Sequence, residues 1–116
     1  MSDQLKELTG LLLDFRDARD WKQFHGLKNL IISLQIEAAE LLELTQWKTD
    51  EQCESIVSAS KQAIAYELAD IFSYLLLISE HCQIDLADSL KEKVELNEHR
   101  YPARKSRGTA SKYDEL

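Results

Sequence analysis

Two pairs of acids stand at positions where a folding chain normally places apolar residues. Glu37 and Glu40 flank Ala38-Ala39, and Glu67 and Asp70 flank Leu68-Ala69. On a helix, two residues three apart point within roughly 60° of one another, one turn apart. Leu30, Leu34, Leu41 and Leu44 form an apolar stripe, with Glu37 in its middle and Glu40 on its edge. Ile64, Ile71, Tyr74 and Ile78 share a second face, which takes in Glu67 and has Asp70 beside it. From Gln62 to Ser79 these two acids carry all the charge. A helix that is apolar nearly all round is expected to be buried on several sides.

Carboxylates turned toward a core are costly unless something satisfies them. Two of them about 5 Å apart repel by roughly 3 kcal/mol at an effective dielectric near 20. Neither stripe offers a lysine or arginine to pair them. Protonation, water or a bound cation remain. An all-oxygen donor set suits Mg²⁺, with Mn²⁺ as a substitute. Magnesium keeps waters and shares phosphate oxygens, so the set points to phosphoryl or nucleotidyl chemistry. A single Glu-x-x-Glu is usually a solvated surface pattern; two such pairs on two apolar stripes are what argue for a site. Glu43 lies farther from its stripe and reads as a solvated or supporting acid.

Other chemistries find less support. Carboxylate bundles that hold two irons use Glu-x-x-His pairs. Here Lys22, Ile78 and Leu96 stand three positions before His25, His81 and His99. No Ser/His/Asp or Cys/His arrangement is evident, and Cys82 has no base near it in sequence. The net charge of −7 argues against a nucleic-acid partner, which would need a basic face.

The elements that must hold these acids are helices. Leu5, Leu8, Leu12 and Phe15 recur at helical spacing and predict a first helix over 3–19. Residues 20–26 form a connector with Trp21, Phe24 and His25. A second helix is predicted over 28–47. Asp50 is a candidate N-cap, and 51–60 read as a loosely packed lead-in to a third long helix ending near His81. Asp85 is the candidate N-cap of a fourth, over 86–99, closed by Pro102. No strand-period run is visible. The expected fold is all-α, an antiparallel four-helix bundle. One domain is expected over 1–102, followed by a basic tail over 103–116 that reads as solvated or mobile.

Bulk composition sets the frame. With 116 residues and 44% apolar content, the chain can form one core. A chain of this size buries a modest share of its surface, so oligomerisation is a live option. Cys53 and Cys82 form no metal-binding spacing and suit a reduced, cytoplasmic compartment. The polar start (Ser2, Asp3, Gln4) leads us to expect no secretory signal. The run Ile71–Ile78 is too short to cross a bilayer, so no membrane partner is expected.

These residues resemble the MazG-like all-α nucleoside triphosphate pyrophosphohydrolases, and most of all their dCTP pyrophosphatase branch. The likeness runs from about Leu12 to Leu116. It takes in Arg19-Asp20-Trp21-Lys22-Gln23-Phe24-His25, Lys28-Asn29-Leu30, both acidic pairs, Gln46-Trp47-Lys48 and Tyr74. It continues through Lys93, Asn97, Arg100-Tyr101-Pro102 and Ser106-Arg107-Gly108. Two departures stand out. Ala38-Ala39 lies where the family often has glycine, and Leu12 lies where some dCTP-preferring members carry a histidine.

The resemblance implies that Glu37, Glu40, Glu67 and Asp70 hold Mg²⁺. It implies that Trp21 and Trp47 flank the base with His25 near it. Lys93, Asn97, Arg100 and Tyr101 are then expected near the phosphates or sugar. Tyr74 shares the face of Glu67 and is taken with the substrate-binding group, although it also reads as a packing residue with a polar tip. Water would attack the α-phosphorus and pyrophosphate would leave, aided by Lys93 or Arg100, with Glu40 orienting or deprotonating the water. The family implies a homo-oligomer, a dimer or a tetramer of two dimers, with sites between subunits.

The residues alone leave other readings open. Trp21 and Trp47 could equally be core or interface anchors, and His25 a surface histidine. The whole chain could be a nucleotide- or Mg²⁺-binding regulatory oligomer without turnover, or a helical oligomerisation protein with incidental acids.

Overall fold

A computed structural model describes residues 3–115, and Met1, Ser2 and Leu116 lie outside the described residues. Six α-helices follow in order: α1 (Asp3–Ala18), α2 (Leu27–Glu43), α3 (Asp50–Ala59), α4 (Lys61–Cys82), α5 (Leu86–Arg100) and α6 (Ala103–Ser106). Two short 3₁₀ turns, Lys22–Phe24 and Tyr113–Glu115, complete the described residues, which contain no strand. The all-helical expectation holds.

The helix that is apolar nearly all round is the centre of the molecule. α4 packs most extensively on α2, then on α1, and touches α3. Leu76 and Leu77 of α4 and Leu30 of α2 are the buried hydrophobic residues among those described. Two polar side chains share this interior, and each answers its own donor within its helix. The Thr9 hydroxyl donates to Leu5 O at 2.7 Å and the Ser79 hydroxyl to Leu75 O at 2.7 Å. Where α4 ends, Gln83 takes a left-handed conformation (φ 56), and Ile84 N donates back to Ser79 O. That is a helix stop made without glycine.

α2 is shorter than its pattern suggests. The amides of Leu44 and Thr45 donate to Leu41 and Leu42 carbonyls, and the Thr45 hydroxyl also bonds Leu42 O. These tighter bonds end the helix at Glu43 and put Trp47 beyond it. Residues 50–59, expected as a loose lead-in, are a helix of their own. Thr49, rather than Asp50, is the N-cap: its hydroxyl accepts from Gln52 N, and the Gln52 side chain accepts from Thr49 N. Asp85 caps α5 as expected, accepting from Asp88 N.

The tail has local structure. After α6, the ring of Tyr113 meets that of Tyr101 edge-on at 6.1 Å, and the Arg100 guanidinium lies 4.9 Å from it. α5 has no buried residue.

A chain of this length packed as a sphere-like domain has a radius of gyration of about 13 Å; this one has 17.7 Å, with extents of 50 × 36 × 26 Å. Leu68, Phe72 and Leu75 lie along one exposed side of α4, and Ile32 and Ile36 along one of α2. By length and composition α4 is long and apolar enough over Lys61–His81 to cross a membrane. The uninterrupted apolar run is shorter because Glu67 and Asp70 divide the helix.

Candidate active site

α2 and α4 bring their acids to one place. One carboxylate oxygen from each of Glu37, Glu67 and Asp70 lies within 4.8 Å of the others. Oε2 of Glu37 and Oε2 of Glu67 are buried with no hydrogen-bond partner. Burial, more than any other cause, pushes the Glu37 carboxyl up to about 7, and the acids Glu40, Asp70 and Glu67 add to it. Burial likewise raises Glu67, with the Glu40 charge next in importance. Glu40 therefore stands near the cluster electrostatically, yet it is not one of the three that share a possible ion position.

Three hard oxygens, two of them buried without a partner, fit a hard divalent cation. The spacing is one at which side-chain rotation suffices to share an ion. Glu37, Glu67 and Asp70 are the residues that would hold it. Such an ion, when bound, neutralises phosphate charge and makes water a better nucleophile.

A cavity of about 300 Å³ opens from these acids. Glu37 and Asp70 form part of its wall, with Ser73, Tyr74 and Leu77 continuing along α4. α1 contributes Leu12, Phe15 and Arg16, which share a helix face at i, i+3 and i+4. The connector contributes Trp21 and His25.

The connector is held by its own bonds. Asp20 takes a left-handed conformation (φ 55), which reverses the chain after α1. Trp21 N then donates to Arg16 O, and the Gln23 amide donates to Asp20 O and Oδ2. The Trp21 ring meets Phe15 edge-on at 5.8 Å, and the Arg19 guanidinium covers the Phe15 ring at 3.6 Å. His25 Nδ1 is buried and unpartnered. Burial and then the charge of Arg16 lower its pKa, which favours the neutral imidazole.

Of the residues singled out in the sequence, Glu37, Asp70, Trp21, His25 and Tyr74 line this cavity, and Glu67 joins it through the acid cluster. Trp47 does not line it; its side chain is 88% exposed. Lys93, Asn97 and Arg100 lie on α5 and Tyr101 at its end, and none of the four lines the cavity. Sequence reasoning missed Phe15, Ser73 and Arg16 as wall residues. Their signal was spacing: Arg16 follows Leu12 by four, and Ser73 follows Asp70 by three.

Comparison with known proteins identifies relatives over most of the chain. Residues 32–116 match the sequence model of the MazG-like family. The chain belongs to the MazG-like family. Over 97% of its length this MazG-like chain is 39% identical to dCTP pyrophosphatase 1 of Bos taurus, covering 68% of that protein. It is 37% identical to dCTP pyrophosphatase 1 of Homo sapiens, over 97% of this chain and 67% of that one. The crystal structure of a pyrophosphatase from Archaeoglobus fulgidus is similar with a TM-score of 0.83 at 36% identity, covering 88% of this chain and 95% of that one. Both acidic pairs fall inside the residues matched to the MazG-like family, whereas the α1 and connector walls of the cavity precede them.

Proposed function

We propose that this nucleotide pyrophosphatase takes dCTP or a modified dCTP, works with Mg²⁺, and releases the monophosphate and pyrophosphate as a step in cleansing the nucleotide pool. The observation that carries the reading is the convergence of Glu37, Glu67 and Asp70 at a cavity that Leu12, Phe15, Trp21, Tyr74 and Leu77 also line. A triphosphate is drawn to the end where a cation sits, and a base to the end walled by Phe15 and Trp21. The dCTP assignment draws on the relatives' names.

The chain's own residues then divide the work. Glu37, Glu67 and Asp70 hold the cation, with Mn²⁺ able to replace Mg²⁺. Glu40, half-buried beside them, orients the water that attacks the α-phosphorus or takes its proton. The walls of Trp21 and Tyr74 keep the nucleoside in register, so that positioning and electrostatics supply most of the rate. Lys93, Asn97, Arg100, Tyr101 and Trp47, which lie outside this cavity, reach substrate in an assembly where another copy's α5 and α2 end close the site. The exposed apolar sides of α2 and α4 favour that assembly, a dimer or a pair of dimers in the cytoplasm. We assign it neither a nucleic-acid nor a membrane partner.

Incubation of the protein with dCTP and Mg²⁺, followed by separation of products, tests the reading. dCMP with pyrophosphate supports it. dCDP with phosphate overturns the cut site, and nucleotide binding without products leaves a regulatory module in its place.

A further inference from the structure

We propose that Arg16 reads the edge of the nucleobase and selects cytosine over uracil; this rests on the nucleotide reading above. Arg16 lies in the wall of the acid-ended cavity, four residues after Leu12 and next to Phe15. Its side chain is 11% exposed. The Nε donates to Asp17 Oδ1 at 2.8 Å, and this is the side-chain partner of its guanidinium among the described residues. The terminal nitrogens have no such bond. A guanidinium bonded at Nε, in a wall that includes Phe15, Trp21 and Tyr74, keeps those two nitrogens as a planar fork.

Three features separate this cation from a solvated surface charge. Among the residues lining the cavity it is the one permanent cation. The cavity's other charged side chains, Glu37 and Asp70, belong to the acid cluster, so in this proposal the phosphates go to them and the base to Arg16. It also lies beside His25, whose buried Nδ1 is a second polar atom without a partner in the same wall. Arg16 and His25 together separate this cavity from a neighbouring polar one lined by Lys22, Gln23 and Glu80.

A two-pronged donor matches an edge with two adjacent acceptors. Cytosine presents O2 and N3 in that pattern. Uracil and thymine place an N3–H donor between two carbonyls, so one prong would face a donor and both would lose a bond in a sheltered wall. Substituents at C5 lie on the opposite side of the ring, so modified cytosines keep the recognised edge.

The full-length chain with Mg²⁺ tests this through kcat/KM for dCTP and dUTP, in the wild type, Arg16→Ala and Arg16→Lys. The preference for dCTP over dUTP is expected to fall roughly 5- to 150-fold in Arg16→Ala, through dCTP. Lysine keeps the charge but not the fork, so Arg16→Lys is expected to lose most of the preference as well. Equal losses for both substrates, or full rescue by lysine, would show a phosphate or packing role and overturn the proposal. Equilibrium binding of dCMP against dUMP reads the same preference without turnover. If hydrolysis fails while binding still discriminates through Arg16, the cut site is wrong and this inference stands. A wild type that binds the two equally overturns it.

Discussion

Glu37 on α2 and Glu67 on α4 each bury one carboxylate oxygen, Oε2, with nothing donating to it. Neither helix alone creates this situation; it arises where the two pack. Two groups that repel one another and lack donors are held together by the surrounding helices, and a cation relieves both deficits at once.

Removing one of these charges should therefore act in opposite directions on fold and function. In Glu67→Gln, the metal-free protein is expected to melt at a higher temperature than the wild type. Its stabilisation by Mg²⁺ should shrink, and kcat/KM should fall roughly 100-fold or more, since even groups supporting a ligand contribute 10- to 100-fold. Thermal melts with EDTA or Mg²⁺, paired with product assays, check this. A variant that retains activity removes Glu67 from the cation site.

The raised carboxyl of Glu37 sets a pH dependence. Its folded value of about 7 lies above the ordinary 4.5, so the folded state binds the proton more tightly than the unfolded chain does. That contribution is fully present below about 4.5 and is lost as pH rises through 7. Glu67 is raised too and acts in the same direction. The metal-free melting temperature should decline between pH 5 and 8, Mg²⁺ should bind more tightly over the same interval, and Glu37→Gln should flatten both trends. A metal-free melting curve that rises with pH contradicts the assignment.

Trp21 and Trp47 should separate by how they reach the base. Stacking on an aromatic ring contributes about 1–3 kcal/mol per base, so Trp21→Ala should raise KM roughly 5- to 150-fold with a smaller change in kcat. Trp47, exposed in its own chain, should matter in the assembled protein and have no effect on nucleotide binding by a monomeric variant. Steady-state kinetics and nucleotide binding across both backgrounds decide it.

The exposed side of α4 predicts such a variant. Leu68→Glu combined with Phe72→Glu places two charges four residues apart on that side. Sedimentation should show the wild type as a dimer or larger and the double variant as a smaller, less stable species. If the size is unchanged, another surface holds the copies together.

Much of this was legible in the chain because periodicity is a strong signal over long helices. The apolar wheel of α4 revealed Glu67 and Asp70, and the stripe of α2 revealed Glu37. Wheel adjacency placed Glu40 with Glu37, and in the fold Glu40 raises both Glu37 and Glu67 while the three oxygens closest to one another belong to Glu37, Glu67 and Asp70. α3 was misread although its signal was present. Thr49-Asp50-Glu51-Gln52 contains a capping box, but Asp50 looked like the cap. The break at Ser60 carries neither glycine nor proline, so nothing local marked it. Arg16 gave no warning as an ordinary charge on an amphipathic helix, because the cavity it lines together with the connector and α4 exists only in the fold.

The interior of the described chain rests on Leu30, Leu76 and Leu77, too little to make a lone copy indifferent to its surroundings. If neighbours supply the missing cover, mass action enters the melting temperature. Working strength would then vary with how much protein is in the tube, and specific activity measured after extreme dilution would understate the rate in a crowded cell.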